Sequence, residues 1–205
     1  MSILERLDRL PHEDAARCAA AVLSRWDAMN RVDRTGGHED TGGDYGAYRY
    51  AIGDRNLAET ALGPAFVADL AEHGRQIAER RLGVPVYASP HFRSACTAKV
   101  FGPGDYQGWH LDTNPIAVLA YLTGGRDFAG GDIVAVDLTD HTAPPHVERH
   151  HPAAGDLVLV RGGHAWHGVE RIADGHRITL GFNLYLEPDV PRPAEVDAWV
   201  FGETP

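Results

Sequence analysis

The chain has 205 residues, 43% of them hydrophobic and 23% charged, which is the balance of an ordinary globular protein with length for one substantial core. A formal net charge of -10 excludes the basic stripe that a nucleic-acid or anionic-membrane surface needs. Cys18 and Cys96 lie far apart, so one disulfide is formally possible but a stapled secreted framework is excluded.

The N-terminus, MSILERLDRLPHEDAARC, is charged throughout and has no apolar signal core, and no run approaches the length of a membrane span. The expectation is a soluble cytoplasmic protein. Residues 12 to 30 follow a proline, open acidic and are alanine-rich; they predict an amphipathic helix with Cys18, Val22, Leu23 and Trp26 inward. Residues 31 to 58 are rich in glycine and acids without a sustained period, which predicts a loop, with Tyr45, Tyr48 and Arg49 as candidates for a lid. A second helix is predicted over 64 to 82, stopped by Gly83 and Pro85.

From about residue 94 short apolar runs alternate with Gly, Pro and Asp: ACTAKVFG, IAVLAYLT, DIVAVDL, DLVLVRG, HAWHGVERI and HRITLGFNLYL. Their spacing and their β-branched and aromatic content predict a sheet-rich half. The expected layout is a single domain over 1–205, mainly β, with residues 1–90 as helical support and 91–190 as an antiparallel core.

His-x-Asp occurs three times, and only one occurrence suits a metal. His12 and Asp14 fall in a helical turn, where positions i and i+2 point about 200° apart and cannot clamp one ion. His38 and Asp40 fall in the glycine-rich loop. His110 and Asp112 lie in an extended segment, where i and i+2 share a face. A third ligand is sought among His164, His167 and His176. His176 adjoins Arg177 and would point to the opposite face, and His164 follows Gly-Gly in a turn; His167 opens a strand-like run. Arg177 and Thr179 share a strand face and form a cradle for a carboxylate. Two imidazoles and one carboxylate with open positions opposite describe the facial triad of non-haem iron oxygenases, whereas closed structural zinc wants a fourth ligand.

In their order these motifs resemble the Fe(II)/2-oxoglutarate-dependent dioxygenase superfamily, in particular its prolyl-hydroxylase-like and free-standing small hydroxylases. The resemblance covers residues 94 to 187: FGPGDYQGWHLD, AVLAYLT, FAGGDIVAV, AAGDLVLV, HGV and GHRIT, with ten residues from His167 to Arg177. It implies a double-stranded β-helix, or jelly roll, backed by the N-terminal helices. It implies Fe(II) on His110, Asp112 and His167, which would be the catalytic centre, and 2-oxoglutarate reaching Arg177 with Thr179 assisting. It also implies O2 as co-reactant, and succinate and CO2 as products alongside a hydroxylated aliphatic carbon. Related halogenases carry a small residue where Asp112 stands, so the carboxylate here points to hydroxylation.

Tyr121 matches a position that contacts 2-oxoglutarate in the resembling enzymes, or is a core tyrosine; Asn114 either touches cosubstrate or substrate or serves the turn before Pro115. Lys99, the single lysine, competes with Arg177 as anchor, and Arg177 is preferred because it sits at the matching position. Arg93 and Arg126 are candidates for a substrate carboxylate, and Trp109 and Trp166 are expected to pack away from the metal. A small-molecule substrate, an amino acid or natural-product intermediate, is expected, with a peptide residue as the alternative. A nucleic-acid demethylase would want a second arginine where Asn183 stands. A non-catalytic metal-binding jelly-roll sensor is the alternative from another class.

Overall fold

The computed structural model describes residues 2–34, 46–51, 62–89, 95–137 and 145–190. In chain order the elements are β1 (Leu4–Arg9), α1 (His12–Leu23), one 3-10 turn (Trp26–Ala28), β2 (Asn30–Arg34), β3 (Gly46–Ala51) and α2 (Pro64–Leu82). Then come β4 (Tyr87–Ala88), β5 (Thr97–Phe101), β6 (Gln107–His110), β7 (Ile116–Tyr121), β8 (Phe128–Gly130) and β9 (Ile133–Asp137). The chain continues through β10 (His146–His150), β11 (Asp156–Val160), β12 (Trp166–Val169), β13 (Ile172–Gly175) and β14 (Arg177–Tyr185).

The larger sheet has the order β1-β11-β7-β14-β5-β3-β2, with β4 also on β14; the smaller runs β10-β9-β12-β6, and β13 pairs β8 in a ribbon. All pairings are antiparallel. The architecture is jelly-roll-like.

α1 buries Ala15, Cys18, Ala19 and Val22, the three-and-four spacing of a single helical face. It stops at Leu23 rather than at residue 30: the Ser24 hydroxyl donates back to the Ala21 carbonyl at 2.7 Å, and Asn30 is already paired with Tyr50 across β2 and β3. α2 matches its expected span. Pro64 opens it, and Gly83 closes it at φ 71°, a left-handed turn that glycine takes without a Cβ clash.

The loop expected over 31–58 is corrected at its described residues, 31–34 and 46–51; the rest of that span lies outside the described residues. Asn30–Arg34 and Gly46–Ala51 form a hairpin ladder, and β3 is held against β5 through pairs such as Arg49 with Val100. The sheet edge supplied an order that composition did not predict. The lid candidate Tyr45 and the pair His38 and Asp40 lie outside the described residues. β1 was likewise unforeseen; it pairs with β11, from Leu4 opposite Val160 to Arg9 opposite Asp156.

β14 carries the logic of the fold. Ile178, Leu180 and Phe182 point to one side and share a core with Cys18, Val22, Val67 and Leu70 from the two helices. Arg177, Thr179 and Gly181 alternate with them and face the other side, by the two-residue period of a strand. Burying each large apolar side chain contributes about 1.5–3 kcal/mol, so the apolar half of β14 fixes the register that places the polar half. No disulfide joins Cys18 and Cys96. Among the described residues no helix is long and apolar enough to cross a membrane.

Candidate metal centre and active site

β6 and β12 lie side by side in the smaller sheet, with His110 directly opposite His167. Their imidazole centroids are 4.2 Å apart. Asp112 lies two residues beyond the end of β6, not within a strand as expected. Its backbone N–H donates to the Gly162 carbonyl at 2.9 Å, which ties it to the turn leading into β12. Its two carboxylate oxygens stand 3.5 Å from His110 Nε2 and 3.5 Å from His167 Nε2.

Each imidazole has one settled nitrogen. Nδ1 of His110 lies 2.9 Å from the Gly108 carbonyl, and Nδ1 of His167 lies 3.1 Å from the Ala165 carbonyl. A carbonyl only accepts, so each Nδ1 carries the proton and each Nε2 presents a lone pair. Two Nε2 atoms and one carboxylate therefore converge, all within 4.8 Å of one another. Cis ligands roughly 2.1 Å from a shared ion stand about 3 Å apart, so the donor set needs only small adjustment to hold a divalent cation. Among the described residues this is the one such group.

The electrostatics agree with a cation site. Burial alone would raise the Asp112 carboxyl, but His167, His110 and Lys99 outweigh it and hold the group below the ordinary carboxylate range. Burial, then the neighbouring His110, push His167 down to about 4. The pair thus presents an ionised carboxylate and a neutral imidazole at neutral pH, the forms a metal needs.

Facing the triad is a second buried group on the larger sheet. Arg177, 1% exposed, donates from Nη2 to the Tyr121 hydroxyl at 3.0 Å. Its guanidinium carbon lies 4.9 Å from the Tyr121 ring centroid and 5.1 Å from that of Phe101. Its Nε is buried with no hydrogen-bond partner. A permanently charged group stripped of water with a donor left over is costly in isolation and suits an anion. Thr179 is buried on the same face, in register with both Tyr121 and Lys99.

The remaining candidates divide. The Asn114 amide donates to the Ile116 carbonyl at 2.7 Å, which is the turn role. Lys99 lies beside the triad, where burial, and Arg177 after it, lower its ammonium to about 8 against the pull of Asp112. His164 is exposed in the turn, and His176 packs edge-on against Trp26, away from the site. Trp109 does point away from the triad, but it is 48% exposed rather than packed, because β6 is the edge of its sheet. Arg126 is exposed; Arg93 lies outside the described residues, as do the side chains of Tyr48 and Arg49.

Two residues escaped the sequence reading. A Cβ on Gly162 would stand 2.2 Å from Asp112 Oδ2 and 2.9 Å from His167 Cε1, so only glycine fits there. Gln107, 5% exposed, places its amide nitrogen 3.1 Å from His110 Nε2. The Gly-Gly before His164 was the available signal for the first; nothing in the sequence marked the second.

No protein-family profile matches the chain, and no curated protein matches it in sequence. Its fold, however, is that of solved iron and 2-oxoglutarate oxygenases. A prolyl-4-hydroxylase from Pseudomonas putida superposes with a TM-score of 0.57 at 17% identity, covering 92% of this chain and 94% of that one. A prolyl hydroxylase from Trichoplax adhaerens, solved with a hypoxia-inducible-factor peptide fragment, gives 0.60 at 16% identity, covering 88% of this chain and 81% of that one. The epimerase SnoN from nogalamycin biosynthesis, solved with Fe3+, alpha ketoglutarate and nogalamycin RO, gives 0.62 at 12% identity over 89% and 78%.

Proposed function

We propose that this chain is an Fe(II)- and 2-oxoglutarate-dependent oxygenase that hydroxylates an aliphatic carbon of a small molecule, an amino acid or natural-product intermediate. The observation that carries the reading is the pairing of His110, Asp112 and His167 with a buried Arg177 whose Nε lacks a partner. A facial triad leaves positions on the metal for a chelating oxo acid and O2, and the arginine answers the far carboxylate.

His110, Asp112 and His167 would hold the iron, with Nδ1 of each histidine fixed by a backbone carbonyl. Arg177, with Tyr121 and Thr179 beside it, would hold and orient 2-oxoglutarate. When bound, iron supplies the oxidising chemistry by which O2 is divided between succinate, formed with CO2 from 2-oxoglutarate, and the hydroxyl of the product. The protein's own part is placement and the exclusion of water, and the burial of Arg177, Tyr121 and Thr179 provides both.

The test is anaerobic addition of Fe(II) and then 2-oxoglutarate, watching for the visible charge-transfer band of the chelate. The expected result is a band that His167→Ala abolishes and that needs far more 2-oxoglutarate in Arg177→Ala. Iron binding without any band refutes the oxygenase reading. A panel of amino acids and of proline-containing peptides, scored by succinate release, then separates the substrate classes.

A further inference from the structure

Lys99 lies on the site-facing side of β5, in register with Thr179. Its ammonium donates to Oε1 of Gln107 at 3.3 Å. An ammonium has donors only, so the carboxamide offers Lys99 its oxygen and turns its NH2 the other way. That NH2 meets Nε2 of His110 at 3.1 Å, and Nε2 is the lone-pair nitrogen because Nδ1 donates to Gly108. Two neighbours on opposite sides therefore fix one amide orientation.

A metal on His110 Nε2 takes that acceptor away. The buried NH2 then faces the coordination sphere beside His110, and leaving a buried donor unmade costs about 1–3 kcal/mol. An anionic oxygen bound at that place satisfies it. Lys99 is near enough to both Asp112 and Arg177 for its charge to interact with each.

We propose that Gln107 donates its amide N–H to the metal-end carboxylate of the 2-oxo acid and that Lys99 is the positioning residue that aims this amide and adds positive charge. The site then holds a dicarboxylate at both ends, with Arg177 on the far carboxylate. This rests on the oxygenase reading above and adds to it a reason why the metal-end carboxylate binds as more than a chelating atom.

The test uses Mn(II) in place of iron, with Mn(II) affinity followed by electron paramagnetic resonance and 2-oxoglutarate affinity by calorimetry on the loaded protein. Gln107→Glu keeps the side-chain length and the Lys99 contact but removes the donor. Its expected result is a loss of 2-oxoglutarate affinity of about tenfold or more, with Mn(II) affinity unchanged or higher. Gln107→Leu and Lys99→Met should weaken 2-oxoglutarate in the same selective way. Lys99→Arg, also donor-only, should retain most of the wild-type affinity. Affinity within twofold of wild type in both Gln107 variants overturns the proposal. So does a parallel loss of Mn(II) and 2-oxoglutarate, which is what a merely structural role under His110 would give. A wild-type protein that binds Mn(II) but not 2-oxoglutarate instead overturns the oxygenase reading itself.

Discussion

Gly162→Ala adds one methyl group to a turn, and the structure fixes where it goes. The new Cβ falls 2.2 Å from Asp112 Oδ2, 2.8 Å from its carboxyl carbon and 2.9 Å from His167 Cε1. Ordinary contact needs roughly 3.5–4 Å, so the carboxylate must retreat by more than 1 Å or the turn must open. A metal site tolerates ligand displacements of about 0.2 Å. Gly162 does not have a positive φ, so alanine meets no backbone strain there and the whole penalty is steric, directed at two ligands. The expected outcome is a loss of Mn(II) or Fe(II) affinity of about a hundredfold, at the top of the range for disturbed supporting residues. Thermal stability of the metal-free protein should fall as well, and fall less in an Asp112→Ala background, where the collision with the carboxylate is gone and only the His167 contact remains. Calorimetric metal titration and thermal melts of the four proteins complete the cycle. Wild-type metal affinity in Gly162→Ala would refute the reasoning.

Arg177→Met should weaken 2-oxoglutarate by about 10–100-fold, measured by calorimetry, while leaving the metal-free protein at least as stable, since it deletes a buried charge whose Nε has no partner. Tyr121→Phe, which removes the acceptor of Arg177 Nη2, should weaken 2-oxoglutarate by about tenfold or less, with metal affinity unchanged. The metal-free protein should lose stability as pH falls from about 6.5 to about 4. In that window His167 stays neutral in the folded chain but takes up a proton when unfolded, so the unfolded state gains at most about 1.4 kcal/mol per pH unit from this group. Urea melts at several pH values should show this slope, and His167→Gln should flatten it; an unchanged slope in that variant would refute the assignment.

The site was legible in the sequence where residue type and spacing carry the chemistry. His110, Asp112, His167 and Arg177 each bring a group that few other residues supply, and a two-residue period singled out the His110 and Asp112 pair that the structure places 3.5 Å apart, even though Asp112 sits past the strand end. Gln107 and Gly162 were not legible, because an amide and a hydrogen atom acquire meaning only from what stands beside them in three dimensions. The same distinction holds for the fold. The apolar runs of β5, β7, β11 and β14 announce themselves, whereas NRVDR and GAYRYA become strands through the neighbour they pair with. LERLDR reads as part of a charged N-terminal stretch, yet as β1 it completes the far edge of the same sheet. Trp109 shows the opposite error: its bulk suggested a core that an edge strand cannot provide.

The alternation along β14 has a consequence for how this chain tolerates change. Odd positions 177, 179 and 181 face the site, and even positions 178, 180 and 182 hold the helices. The candidate site and the core of the folded chain therefore draw on interleaved residues of one strand, and neither can shift its register without carrying the other along. Change in the candidate site is more readily accommodated in the loops around it than in β14, where each substitution is bound to its neighbours in the core.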